Sequence, residues 1–142
     1  MNGNYDMFTK VNKDKPFFAK KQSSLSNTKQ VGDLAEKVAL DFLINKGLGL
    51  LHRQFRCAMG ECDLIMKEGK VIVFVEVRYK QNTSFCTPEE TIHRNKQRKL
   101  IRTAEFFLQR YPDSDCRMDV ISISGKQPNF NIAWIPDAFG VE

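Results

Sequence analysis

The chain has 142 residues, 42% of them hydrophobic and 27% charged, which suits one domain with a real core, or one domain and a tail. No apolar run approaches the roughly 20 residues of a membrane span, and the first thirty residues hold no signal-peptide core. The four cysteines, Cys57, Cys62, Cys86 and Cys116, form no C-x-x-C pair, and His52 and His93 are the only histidines. This composition predicts neither a membrane protein, nor a disulfide scaffold, nor a structural zinc site, but a cytoplasmic protein with reduced thiols.

The net charge of +5 is unevenly spread. Residues 1–30 hold six lysines against Asp6 and Asp14, and so four of the five net charges. They are rich in Asn, Lys and Ser and follow no period, which predicts a flexible basic arm ahead of a domain over residues 31–142. Such an arm either stays solvated or tracks phosphates.

From Val31 a helical period begins. Val31, Leu34, Ala35, Val38, Ala39, Phe42 and Leu43 form the apolar stripe, Asn27 or Thr28 is placed to cap it, and Gly47 to end it. Glu36 lies on the flank of that stripe, where it serves either as an exposed glutamate or as a group facing a cleft. Leu48 to Arg56 reads as a strand with Leu51 and Phe55 inward. Cys62 to Lys67 and Lys70 to Tyr79 read as an antiparallel hairpin turning at Glu68-Gly69. Alternation sets Glu61, Asp63 and Ile65 on one face of the first hairpin strand, and Ile72, Phe74, Glu76 and Arg78 on one face of the second. Thr87 and Pro88, with Glu89 and Glu90, suit the start of a helix that breaks or restarts near Asn95. Its apolar stripe is Leu100, Ile101, Ala104, Phe107, Leu108 and Tyr111, and Pro112 stops it. Arg98, Lys99 and Arg102 lie opposite that stripe, Arg94 beside them and Lys96 near the apolar edge. Arg117 to Ser124 and Phe130 to Ile135, ended by Pro136, complete the chain. The order α-β-β-β-α-β-β predicts an α/β layered domain with helices covering a mixed sheet.

The chemistry concentrates between Met59 and Lys80. Glu76 interrupts a run of Val, Ile and Phe, and a carboxylate inside a core strand is costly unless it is paired, hydrogen-bonded or metal-bound. Asp63 is 13 positions earlier, and the hairpin folds the two together with Glu61 close by. Carboxylates so placed repel unless a cation intervenes. A hard divalent ion takes one or two such groups together with water and phosphate oxygens. Arg78 shares the face of Glu76 and aims a permanent cation at the same place. The plainer alternative is a salt bridge between Arg78 and Asp63 or Glu61.

The segments Gly60-Glu61-Cys62-Asp63-Leu64-Ile65 and Val73-Phe74-Val75-Glu76-Val77-Arg78 resemble the central motif of the YraN family, a bacterial group of predicted endonucleases. The resemblance runs from about Val31 to Phe139. It takes in the helix with Glu36, the Lys96-Gln97-Arg98-Lys99-Leu100 segment, Cys116-Arg117-Met118-Asp119-Val120, and the closing Trp134-Ile135-Pro136-Asp137-Ala138-Phe139. It implies a restriction-endonuclease-like fold of the PD-(D/E)xK superfamily, similar to archaeal Holliday-junction resolvases. By that resemblance Asp63 and Glu76 would hold Mg²⁺ or Mn²⁺, with Glu36 completing the site. The third signature residue is usually lysine; this chain has Arg78 there, as some members of the group do. Arginine does not readily lose its proton, so Arg78 would position and stabilise charge rather than act as a base.

The expected function is a metal-dependent endonuclease acting on structured or branched DNA. Asp63, Glu76, Arg78 and Glu36 are its expected catalytic residues, and Arg94, Lys96, Arg98 and Arg102 its phosphate contacts. Glu61 serves either beside the metal or in a salt bridge. A homodimer is expected by analogy with the resolvases. Two other readings stand beside this one: a nucleic-acid-binding protein of the same fold without cleavage, and an interaction module whose carboxylates are merely salt-bridged.

Overall fold

The computed structural model describes residues 23–81 and 92–140. The chain divides between Asp33 and Leu34, and the sheet lies in the unit Leu34–Glu142. Thr87, Pro88, Glu89 and Glu90, and most of the expected arm, lie outside the described residues.

Among the described residues, seven elements follow in the expected order: α1 (Ser23–Asn45), β1 (Gly49–Cys57), β2 (Gly60–Glu68), β3 (Val71–Lys80), α2 (Arg94–Leu108), β4 (Cys116–Lys126) and β5 (Asn129–Phe139). The strands lie side by side in chain order, β1 to β5. All neighbours are antiparallel except β3 and β4, which run parallel with α2 between them in the chain. A parallel pair needs a long crossover connection, and α2 supplies it.

The sheet separates two apolar cores. On one face Ala35, Ala39, Leu40 and Leu43 of α1 pack with Leu64, Met66, Val73, Val75, Ile121 and Ile123. On the other, Leu100, Ala104 and Phe107 of α2 pack with Phe55, Ile65, Ile72, Phe74 and Met118. Residues of one strand thus alternate between the two cores, as a doubly covered strand must. No helix among the described residues is long and apolar enough to cross a membrane.

Most departures from the sequence reading occur at element ends. Helix α1 starts at Ser23 rather than near Val31, so Asn27 and Thr28 fall inside it. Adding residues to a helix already formed avoids the cost of a nucleus, and no breaker intervenes. Its other end is as expected. Gly47 takes φ +98°, the Leu48 N–H bonds to Leu43 O at 3.1 Å and the Gly47 N–H to Ile44 O at 3.0 Å. These two bonds form a Schellman cap, and Leu43 and Leu48 are both buried in the core beneath it. The hairpin turns at Gly69-Lys70, one residue later than expected, with Glu68 paired to Val71 and Gly69 at φ +59°.

Leu51 was expected inward and is exposed. The register slips between Leu50 and His52, so Leu51 is the extra residue of a bulge. Tyr111 lies beyond the end of α2, exposed, with its ring stacked on Phe107. Pro136 does not end the last strand, since β5 runs on to Phe139. Proline is tolerated because β5 is an edge strand and its register slips there, where Met118 pairs with Phe139 but Val120 with Ile135. Asp119 stabilises that irregularity. It is buried and accepts bonds from Arg117 Nε at 2.9 Å, Trp134 Nε1 at 2.9 Å and the Asp137 N–H at 2.9 Å.

Candidate functional site

The candidate site forms where β2 and β3 part. Their ladder ends at the pair Leu64–Val75. Continued by one step, that register would set Asp63 opposite Glu76, which explains the spacing seen in the sequence. The backbones do not pair there. The Asp63 carboxylate instead accepts the Val77 N–H at 2.8 Å. Strict alternation fails at the same point. Cys62 and Ile65 share the core beneath α2, so Ile65 does not share a face with Asp63 as expected.

Glu76 continues the row of Ile72 and Phe74 toward α2 and is only 5% exposed. Lys96 of α2 sets its Nζ 2.8 Å from Glu76 Oε2, and Arg78 Nη1 is 4.0 Å from the same oxygen. The Asp63 carboxylate is near enough to act on Glu76. Burial, and then the Asp63 charge, push the Glu76 carboxyl up to about 7, against the pull of Lys96. A carboxylate so placed resists ionisation and favours an added cation.

Glu36 is also buried, one position round from Ala35 on α1. Arg53 Nη2 lies 3.3 Å from its Oε1, and Gln54 Nε2 3.4 Å from its Oε2. Gln54 reaches it from a backbone at φ +49°. Burial raises the Glu36 carboxyl, the Gln54 hydrogen bond opposes this, and the Asp63 charge adds to the rise. Glu36 therefore borders Asp63 while β1 holds both of its oxygens.

Among the described residues, no three His, Cys, Asp or Glu side chains gather as a metal cage. Asp63 and Glu76 are a pair. The donor set fits a hard divalent ion of the Mg²⁺ type, which uses one or two carboxylates and fills its other positions with water and phosphate oxygens. Glu61 stands apart, exposed, in an ion pair with Arg56 at 3.5 Å, so the salt-bridge alternative describes it. Cys62 is buried beside the site, and desolvation pushes its thiol up, which keeps it protonated and unreactive. Cys57, Cys62 and Cys116 are all free thiols.

The cations of α2 fall into two groups. Arg94, Arg98 and Arg102 line a shallow cavity of about 530 Å³. Lys96 and Lys99 line another of about 700 Å³, together with Arg56, Glu61, His93 and Asn95. The sequence grouped Lys96 with the phosphate contacts, but its ammonium is bonded to the central carboxylate. The available signal was its place at the apolar edge of α2, one turn before the buried Leu100. Arg53 and Gln54, the partners of Glu36, gave no signal at all.

The sequence profile of the uncharacterised protein family UPF0102 matches residues 35–123. The chain belongs to this family, the YraN group. A UPF0102 protein of Methylobacillus flagellatus is 48% identical over 111 residues, covering 78% of this chain and 97% of the relative. UPF0102 proteins of Caldicellulosiruptor saccharolyticus and Stutzerimonas stutzeri are 42% and 40% identical, covering 80% and 81% of this chain and 99% and 98% of those relatives. Glu36, Asp63, Glu76, Arg78, Lys96 and Arg98 all fall within the span matched to UPF0102.

Proposed function

We propose that this UPF0102 protein is a divalent-metal-dependent endonuclease that hydrolyses phosphodiester bonds in structured or branched DNA. One observation carries the reading. Two carboxylates converge where two strands part, one of them almost fully buried, with Lys96 and Arg78 turned toward it. A structural ion pair does not need the second carboxylate, which raises the cost of burying the first. A site for a divalent ion and a phosphate does.

Asp63 and Glu76 would hold the ion, which when bound supplies Lewis-acid activation of water and neutralises charge on the phosphoryl oxygens. Asp63 is oriented by the Val77 N–H, and Glu76 by the rigid centre of β3. Glu36 stands behind Asp63, fixed by Arg53 and Gln54, and keeps the local field negative. Arg78 lies beside Glu76, where its guanidinium suits a phosphate oxygen as charge builds toward the transition state. In the reaction the water oxygen bonds to phosphorus and the bridging P–O bond breaks. The water gives up a proton and the leaving oxygen takes one up, both exchanged with solvent. Arg94, Arg98 and Arg102 supply non-specific backbone contacts. Cutting both strands of a branched duplex needs two such sites, and hence two chains.

A second reading is a DNA-binding protein that does not cut. Arg78 favours it, because an arginine at that position has no proton-accepting role. A cleavage assay on labelled four-way junction, flap, single-stranded and plain duplex DNA, in Mg²⁺, Mn²⁺ or EDTA, separates the two. Metal-dependent cutting by wild type, absent from Asp63→Ala/Glu76→Ala purified in parallel, is the expected result. Shifted but uncut DNA with no metal dependence would leave the binding-only reading.

A further inference from the structure

Two cations reach Glu76, and they come from different elements. Arg78 is on the same strand, two positions on, and its guanidinium stands 4.0 Å away. Lys96 comes from α2 and makes the closer contact, 2.8 Å. The base of α2 is fixed for this purpose. Leu100, one turn after Lys96, is buried against the sheet, and Gln97 Nε2 holds the Ile92 carbonyl at 3.0 Å. The Lys96 side chain is nevertheless half exposed, 46%, against 5% for Glu76. Lys96 lines the cavity of about 700 Å³ together with Arg56 and Lys99, and its ammonium ends on Glu76 Oε2. Among the described residues, Lys96 is thus the one cation that both lines this cavity and pairs with Glu76.

The Lys96 ammonium already occupies the place of a cation at this pair. It is a compact point charge with three donors on a flexible four-carbon stem. A divalent ion held by Asp63 and Glu76 would compete with it for the Glu76 carboxylate, and Lys96 borders a cavity that gives its stem room to turn. We propose, on the footing of the metal-dependent reading above, that Lys96 is the tethered cation of the carboxylate pair. Its ammonium balances Glu76 and Asp63 in the metal-free protein, yields that oxygen to a divalent ion, and stays beside the ion facing the scissile phosphate. It is then part of the reaction centre and not one of the backbone contacts of α2.

The test uses the full chain and the variants Lys96→Gln, Lys96→Arg and Arg98→Ala. Mn²⁺ affinity is read first, from the paramagnetic resonance of the free ion, without DNA. Removing a competing cation should tighten Mn²⁺ binding in Lys96→Gln by about fivefold or more, with no change in Arg98→Ala. On the preferred DNA in saturating Mg²⁺, Lys96→Gln should lose about 100-fold in kcat with KM nearly unchanged, and Lys96→Arg should recover part of that loss. Arg98→Ala should raise KM alone. Unchanged or weaker Mn²⁺ binding in Lys96→Gln overturns the proposal, as does a rise in KM with kcat intact. Should wild type cut none of the DNAs, the nuclease reading falls. The Mn²⁺ comparison then decides on Lys96 by itself: tightening sustains it as the pair's tethered cation, and no tightening overturns it.

Discussion

Asp119 and Glu76 are both buried carboxylates in the middle of neighbouring strands, and they are wired in opposite ways. Asp119 is bonded to Arg117, Trp134 and the Asp137 N–H, all fixed groups within its own layer of the fold. Arg117 is itself held by Glu68. Glu76 has a like charge beside it, and its cations reach in on long side chains from the solvent side. The first carboxylate is fully satisfied before any ligand arrives. The second is paired with partners on long, partly exposed side chains. Burial alone therefore does not single out Glu76 from Asp119; the adjacent like charge and the long, partly exposed cations do.

The comparison can be broken at either end. The largest expected effect is on activity. Asp63→Ala or Glu76→Ala should lower DNA cleavage by at least about 10³-fold, with near-native thermal unfolding, whereas Asp119 variants should affect cleavage only through folding. Activity retained in Glu76→Ala would sink the distinction. The second effect is on stability. Asp119→Ala leaves the part-buried Arg117 half-paired and takes the acceptor from Trp134 Nε1 and the Asp137 N–H, and should cost about 2–4 kcal/mol in urea unfolding. Glu76→Gln should leave stability unchanged or raise it, measured in EDTA.

A pH series sharpens the contrast further. In the folded protein the Glu76 carboxyl is raised from 4.5 to about 7. A raised folded value means that the group's contribution to stability is fully present below about pH 4.5 and is lost as pH rises through 7. Metal-free wild type should therefore lose on the order of 3 kcal/mol between pH 4.5 and 8 relative to Glu76→Gln. Equal slopes for the two proteins would show that Glu76 ionises freely. The smallest effect belongs to the outer cations. Arg98→Ala should weaken DNA binding only a few-fold, uniformly across sequences, and lower the salt dependence by about one unit of slope.

The element order was legible because its periods are strong: 3.6 residues in α1 and α2, and near-alternation in the strands. The Asp63–Glu76 pair was legible because a short hairpin converts sequence spacing directly into register. What failed to show depends on tertiary placement. The bulge at Leu51, the continuation of β5 past Pro136 and the buried bonds of Asp119 all arise from how edge strands meet their neighbours. The Lys96–Glu76 contact was not legible because helical periodicity fixes angles within α2, not the rotation of α2 against the sheet. Periodicity placed Glu36 on the flank of α1 and only the resemblance gave it a role; Arg53 and Gln54 reach it from another element.

The two outer strands share a feature that bears on assembly. Strand β1 is interrupted by the bulge at Leu51, and β5 by the register slip near Pro136. An uninterrupted outer strand is a template onto which another chain can add its own strand. Here the row of free backbone donors and acceptors is broken on both sides, and one of the breaks carries a proline with no N–H to offer. The fold is thus guarded against end-on stacking of sheets into fibrils. Both outer strands are poor templates for extension of the sheet by a second chain.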